Sequence, residues 1–307
     1  MSLTSNAELV RATAQAAFWQ SYESTSDIMD GLVHRVDSSA DQETYPGIFY
    51  APRPREMSGG RDHRSAPGFN YTIVNKKWES TLDIGYEMVK FAKLGSVEAL
   101  LSSLGEKARA YPSRLVANLM NVGDATNGHD GNYFYVATHT DPGGRYTTSQ
   151  DNDFTTNIGA TAAATVLEMY TELQIARGFY DTVKDGDGDP VVPDQNATFK
   201  VLCSGGHMPA ARAVYKNDVI TGPISNDLKG VFEPVLNPYG DNTAEIFTFW
   251  TSGRRKPFIL QVAEDVSLTD NMGGDSEFET RDVSFGTFGY YNVGYGDWRY
   301  SSRHIFT

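Results

Sequence analysis

Residues 45–70, YPGIFYAPRPREMSGGRDHRSAPGFN, constrain this chain more than any other stretch. Pro46, Pro52, Pro54 and Pro67 alternate with Gly47, Gly59, Gly60 and Gly68. Proline removes a backbone donor and clashes inside a helix, and glycine loosens whatever it interrupts. The segment is therefore extended and protrudes. It runs into FNYTIVNKKWESTLDI, 69–84, where Tyr71, Ile73, Asn75, Lys77 and Glu79 alternate with Thr72, Val74, Lys76, Trp78 and Ser80. A period of two predicts one long, half-exposed strand over 69–84. Two extended limbs joined by a glycine- and proline-rich tip make a projecting hairpin.

The net charge is −13, which disfavours holding nucleic acid through its phosphates. Its distribution is uneven. Between Thr44 and Trp78, Arg53, Arg55, Arg61, Arg64, Lys76 and Lys77 face only Glu56 and Asp62, a net +4 that leaves −17 for the rest. The hairpin reads either as a solvated basic loop or as a basic arm lying on an acidic neighbour, since complementary charge steers and registers association.

The remainder mixes helices and strands without a repeat. Residues 7–22 predict an N-terminal helix, loosely attached, and Gly31–Val36 a short strand. Ser96 is the expected cap of a helix running to about 120, with Glu98 in its first turn and Val97, Leu100, Leu101, Leu104 and Ala108 on one face. Pro112 either kinks that helix or opens a second one at Ser113. Residues 123–159 are loop-rich. Further helices are expected over 160–177 and 208–217, and strands over 197–204, 244–252 and 256–266. No run of apolar residues is long enough to span a membrane. The opening MSLTSNAELV lacks the basic and apolar regions of a signal peptide. Cys203, the single cysteine, excludes an intrachain disulfide and fits a reducing compartment.

Motifs that carry chemistry are weak. GDGDP, 186–190, imitates the start of a calcium loop, but Pro190 and Asn196 stand where that loop needs glycine and a bidentate glutamate. His139 and Asp141 in HTDPGG could be a ligand pair, yet Asp-Pro-Gly is an ordinary turn. Cys203 and His207 in VLCSGGH are the one candidate nucleophile and base; after a strand, Cys203 reads more simply as a small buried hydrophobe. No catalytic residue, cofactor site or metal site is assigned. In GYYNVGYGDWRY, 289–300, Gly294 and Gly296 begin a dinucleotide-like G-x-G, but the third glycine is missing. From Asp282 onward, Val283, Phe285, Thr287, Gly289, Tyr291, Val293 and Tyr295 fall on one face. This is a packed terminal strand whose glycines mark close approach of another backbone.

FETRDVSFGTFGYYNVGYGDWRY resembles the ending of the major head subunits of Mu-like phages and prophages, the gpT family. FNYTIVNKKWESTLDIGYEMV, YPSRLVANLM, GHDGNYFYVATHTDPG and DGDPVVPDQNATFKVLCSGGHMPAARAVYKND resemble further segments of that family in the same order. His139 precedes Asp141 here, the reverse of the family's order. The resemblance covers roughly Met29 to Arg303.

It implies an α+β chain with the Hong Kong 97-like fold of tailed-phage major capsid proteins. The parts would be an N-terminal arm and first peripheral strand (1–42), an extended hairpin loop (43–84), a peripheral domain with a spine helix (85–125), an axial domain (126–269), and return strands to the peripheral domain (270–307). The implied function is self-assembly into the icosahedral head of a tailed phage. Arg53, Arg55, Arg61, Arg64, Lys76, Lys77 and Trp78 would supply inter-subunit loop contacts. The implied partners are further copies in hexamers and pentamers, portal, scaffolding and decoration proteins, and enclosed DNA without sequence-specific binding. The place is the virion, after assembly in the host cytoplasm. An encapsulin-like compartment shares the fold and would be told apart by its cargo. A Cys203-dependent hydrolase would lose its activity on Cys203→Ser, and a monomeric binding module would elute at 33.8 kDa.

Overall fold

The computed structural model describes residues 3–46, 70–140, 148–156, 163–192, 198–222, 224–240, 244–253, 255–271 and 282–306, together with Pro54, Glu56, Met57 and Gly59. Helix α1 (Leu3–Ser24) is followed by β1 (Val33–Asp37), β2 (Gln42–Pro46), β3 (Asn70–Val74) and β4 (Lys76–Ile84). Helices α2 (Tyr86–Lys90) and α3 (Leu94–Asn121) lead to β5 (Asp153–Thr156), α4 (Val166–Thr182), β6 (Phe199–Cys203) and α5 (Met208–Lys216). The chain closes through β7 (Val219–Thr221), β8 (Ile224–Ser225), β9 (Phe232–Leu236), β10 (Glu245–Trp250), β11 (Phe258–Asp270), β12 (Val283–Tyr295) and β13 (Ser301–Phe306).

Two sheets organise these elements. One has the order β1-β11-β12-β4, with β1 parallel to β11 and the other pairs antiparallel. The other has the order β5-β13-β10-β6-β9, with parallel pairs at both edges. Burial along β12 alternates as its sequence requires: Val283, Phe285, Thr287, Gly289, Tyr291 and Val293 are buried, and Ser284, Gly286, Phe288, Tyr290 and Asn292 are half-exposed.

Helix α3 joins two cores. At about 1.5 Å per residue its 28 residues span about 42 Å. Its first half packs Val97, Leu101 and Leu104 with Val10, Ala14 and Phe18 of α1 against Phe285 and Ile84. Its second half lends Val116 and Met120 to the larger core under the five-stranded sheet. Pro112 lies inside this one helix and neither ends it nor opens another. Beside it, the Ser113 hydroxyl donates to Asp27.

Several sequence expectations are corrected. Helix α1 is not loose: Val10, Ala14 and Phe18 are fully buried, and α3 approaches so closely that a Cβ at Gly105 would lie 2.5 Å from the Phe18 carbonyl oxygen. Ser96 does not cap α3, which begins two residues earlier behind Lys93. The expected strand over 69–84 is two, β3 and β4, because Asn75 turns inward. Its Nδ2 donates to Ala40 O at 2.8 Å and its N–H to Asp41 O at 2.8 Å. The helix expected over 160–177 begins at Val166, where Thr165 and Glu168 form a capping box; residues 160–162 lie outside the described set. Strand β12 is not terminal. A 3-10 turn, Trp298–Tyr300, carries the chain on to β13 in the other sheet.

Candidate functional site

The base of the arm is the best-defined feature that a body core does not require. Strands β2 and β3 pair antiparallel from Gln42↔Val74 to Pro46↔Asn70, and their facing threonines, Thr44 and Thr72, bring hydroxyls to 3.0 Å. Each limb is fastened to the four-stranded sheet. From β2, the Tyr45 hydroxyl donates to Gln261 Oε1 at 2.9 Å. Gln261 in turn donates from Nε2 to Ile73 O of β3 at 3.1 Å, so one buried amide holds both limbs. The Tyr71 hydroxyl accepts the Tyr295 N–H at 2.9 Å, and Asn292 Nδ2 donates to Val74 O at 2.7 Å. Burial, aided by the charge of Glu43, pushes the Tyr45 hydroxyl up to about 12, so it stays a donor. Burial likewise raises Tyr71.

Gly294 makes this seat. A Cβ there would collide with Ile73 and approach the Tyr71 ring at 3.1 Å. The close neighbour is therefore the arm's side chains, not the second backbone that the sequence suggested. Trp78, on β4 just past the β2–β3 ladder, donates from its indole to Tyr291 O at 2.9 Å. Its ring meets that of Tyr111 on α3 at 4.9 Å and 62°. Lys76 and Lys77 are exposed beside it. Of the contact residues read from sequence, the structure brings these three together at the body end of the arm. Arg53, Arg55, Arg61 and Arg64 lie outside the described residues. Tyr45, Tyr71, Gln261 and Asn292 were missed. The available signal was the equal offset of Tyr45 and Tyr71 from the tip, which makes them direct partners in the ladder.

Of the candidate chemical residues, Cys203, His207 and His139 are interior. Cys203 lies buried on β6, and burial pushes its thiol up to about 12, opposite to what a nucleophile needs. His207 accepts the Ala164 N–H at Nδ1 (3.0 Å) and stacks on Phe306 at 4.6 Å. His139 is fully buried, with Nδ1 2.7 Å from Asp130 Oδ2 and its ring stacked 3.8 Å from Trp298. Asp141, its expected companion, lies outside the described residues. Burial pushes the Asp130 carboxyl up, but its bonds to His139 and Asn132 and the nearby histidine charges together hold it below the usual range. At the GDGDP turn, Asp185 Oδ1 accepts the N–H groups of Asp187 (2.9 Å) and Asp189 (3.0 Å), and Gly188 takes φ +84°. That is a self-closed turn. Among the described residues no cluster of histidine, cysteine and carboxylate is arranged to hold a metal ion, and no helix is long and apolar enough to cross a membrane.

Comparison with known proteins agrees with this geometry. The family model described as Mu-like prophage major head subunit gpT matches residues 7–173. The Mu-like prophage FluMu major head subunit of Haemophilus influenzae is 29% identical over 104 residues, which is 34% of this chain and 34% of that protein. The major capsid protein of Escherichia phage Mu is 27% identical over 104 residues, with the same 34% shares. The matched stretch thus spans about a third of these relatives' length. Among solved structures, a subunit of the procapsid of bacteriophage JBD30 superposes with a TM-score of 0.57 at 18% identity, covering 98% of this chain and 75% of that one. The fold is the Hong Kong 97-like α+β fold of tailed-phage capsid proteins.

Proposed function

The chain belongs to the family of Mu-like prophage major head subunits, gpT, and from that membership we propose that it is a major capsid protein. It self-assembles into the icosahedral head that encloses the double-stranded DNA of a tailed phage or prophage. The observation that carries this reading is the arm base: a two-stranded ladder, β2 with β3, bolted through both limbs to the body by Gln261 and two tyrosines. A lever held so firmly at one end transmits a contact made at the other. Interlocking arms multiply buried area per subunit and make the shell avid where a single curved contact is small. The fold alone would also suit an encapsulin-like compartment; family membership favours the phage head.

In this reading residues 43–84 are the extended loop. The four-stranded sheet with α1 and α3 forms the peripheral domain, and the five-stranded sheet with α4 and α5 forms the axial domain. In this division β11 goes with the peripheral domain and β13 with the axial domain, each following its sheet. Arg53, Arg55, Arg61, Arg64, Lys76 and Lys77 meet acidic neighbours, while Trp78 fixes the arm within its own subunit. The subunit forms hexamers and pentamers, works with portal, scaffolding and decoration proteins, contains DNA without reading its sequence, and performs no catalysis. It resides in the virion after assembly in the host cytoplasm.

Electron microscopy of the purified full chain tests the reading, alongside a variant lacking residues 57–68. The expected result is closed shells for the full chain, and a folded subunit without shells for the deletion. A full chain that remains a 33.8 kDa monomer at every concentration, or a deletion variant that still closes normal shells, overturns it.

A further inference from the structure

We propose that His139 is held in the core as an imidazolium, with both ring nitrogens protonated, and that its second proton locks the joint where the chain passes from the four-stranded to the five-stranded sheet. The ring is fully buried and faces acceptors on both sides. Nδ1 lies 2.7 Å from Asp130 Oδ2, and Nε2 lies 3.1 Å from Asn152 Oδ1 and 3.3 Å from Phe134 O. A neutral imidazole has one donor and one acceptor nitrogen; only the cation donates from both.

The surrounding groups fix this assignment. Asn152 cannot turn its amide round, because Oδ1 accepts the Val136 N–H at 3.0 Å while Nδ2 donates to Phe134 O at 2.9 Å and Ser301 O at 3.3 Å. Nor does the proton belong on Asp130. Asn132 donates to that carboxylate twice, from its backbone N–H at 3.2 Å and from Nδ2 at 3.3 Å. With His139 that makes three donors, which favours the ionised form, and the Asp130 carboxyl is held below its ordinary range. An ionised carboxylate this buried requires an opposite charge beside it, and His139 supplies one. Trp298 stacks on the ring at 3.8 Å and 5°, offering a cation the negative face of its indole.

Other charged groups act on the ring from each side. Arg299, in the turn after β12, opposes a second cation but is bound to Asp297 at 3.0 Å. Asp151, ahead of β5, favours the charge. His129, on the loop of Asp130, directs Nδ1 to Gly296 O at 3.1 Å.

The ring thereby fastens three segments: the loop after α3 through Asp130, the turn into β13 through Trp298, and Asn152, whose carbonyl accepts the Arg303 N–H at 2.9 Å. Loss of a proton from either nitrogen sets a lone pair against an oxygen in the core, and a buried polar group left unpaired is costly. The neutral ring therefore cannot keep this place, and deprotonation releases the joint. The lock lies within one subunit, so its failure would leave the capsid reading standing.

Nuclear magnetic resonance of the unassembled full chain, with its histidine ring nitrogens isotopically labelled, tests this at pH 7.5, where a free histidine is about nine-tenths neutral. The His139 signals are assigned through their contact with the Trp298 ring. Both nitrogens are expected to carry hydrogen. Asp130→Asn, whose amide can turn its NH2 towards Nδ1, is expected to lose the Nδ1 hydrogen, and Asp130→Glu to keep both. In Asp130→Asn the amides of Gln150 and Arg303 should also lose protection from hydrogen exchange, while those of Leu260 and Asn292 keep theirs. One bare ring nitrogen in the parent overturns the proposal, and this readout stands even where Asp130→Asn fails to fold. Retention of both hydrogens in Asp130→Asn, or unchanged protection at Gln150 and Arg303, overturns it equally.

Discussion

Substituting Gly294 by alanine adds one methyl group where the closing strand passes beneath the arm. Its Cβ would lie 2.7 Å from Ile73 Cγ1 and 3.1 Å from a Tyr71 ring carbon, and nearer still to Ile73 Cδ1. Comfortable carbon contacts are about 3.5–4.0 Å, so a neighbour must move. Neither moves easily. Ile73 is 3% exposed and β-branched, with few rotamers to choose from. Its carbonyl is held by Gln261, and the Tyr71 hydroxyl by the Tyr295 N–H. Overpacking of this kind costs about 1–3 kcal/mol, and replacing a strand glycine by alanine returns about 0.5–1 kcal/mol. The expected net loss is about 0.5–2 kcal/mol. The partner substitution Ile73→Val deletes Cδ1, the worst-placed atom. Alone it costs about 0.5–1.5 kcal/mol, but in the Gly294→Ala background it should cost less or even stabilise, a coupling of about 0.5–1 kcal/mol. Urea denaturation of the four unassembled proteins, followed by far-ultraviolet circular dichroism, measures this. Gly294→Ala matching the parent in stability, or strict additivity of the pair, refutes the claim that the arm is seated on this glycine.

Gly105→Ala should destabilise by about 1–3 kcal/mol despite a helix-propensity gain of about 1 kcal/mol, because its Cβ meets the Phe18 backbone and not a yielding side chain; a raised melting temperature would contradict this. Cys203, with its thiol pushed up to about 12, should react with iodoacetamide at pH 8 more than about a thousandfold slower in the folded chain than in urea, and comparable rates in the two states would show the thiol to be accessible. Acid should act in two stages. Burial lowers the folded pKa of His129 below its ordinary 6.5, so the folded state disfavours the proton and stability falls as pH drops below that value. Asp130, also depressed from its ordinary 3.8, contributes stability above about that pH that is lost as pH falls towards its lower folded value. His129→Asn should remove the first stage and weaken the second without abolishing it, because His139 still holds Asp130, in urea melts recorded from pH 8 to 3; an unchanged first stage would assign it elsewhere.

What could be read in advance follows from physics that acts locally. The alternation in β12 was legible because one face is buried and the other half-exposed, which leaves a period of two in the residue types. Helix α3 was legible from its apolar face, but its start was not: no side chain caps it, so no sequence signal marks residue 94. Strand β13, SSRHIF, gave no apolar pattern at all, yet its first four residues are buried. They tolerate burial because distant groups meet them. Arg303 reaches Asp153 at 2.7 Å and Asp124 at 2.8 Å, and Ser302 bonds Thr248 at 2.6 Å. A strand whose polar atoms are satisfied by partners some 50 to 180 residues away cannot be recognised from its own composition. The arm base is the same case. Gln261 and Asn292 look like ordinary surface residues until the limbs of the hairpin arrive beside them.

The glycines of the closing run then take on a meaning that their spacing alone could not supply. Gly294 and Gly296 stand as a G-x-G, the opening of a phosphate-cradling loop, but a cradle needs backbone N–H groups free to face a ligand. Here the Gly296 N–H donates to Pro257 O at 2.7 Å and the next one, of Asp297, to Lys256 O at 3.1 Å. A Cβ at position 296 would run into the Lys256 carbonyl, one at 294 into Ile73, and one at 289 into the Tyr291 ring. Each glycine yields its space to a different neighbour: the connection into β11, the arm, and the ring of Tyr291. None of the three has the positive φ that favours glycine by conformation, so space is what selects them. In this chain the glycine-rich run lets the arm, the strand before it and the body close on one another, and a side chain at any of the three positions would force them apart.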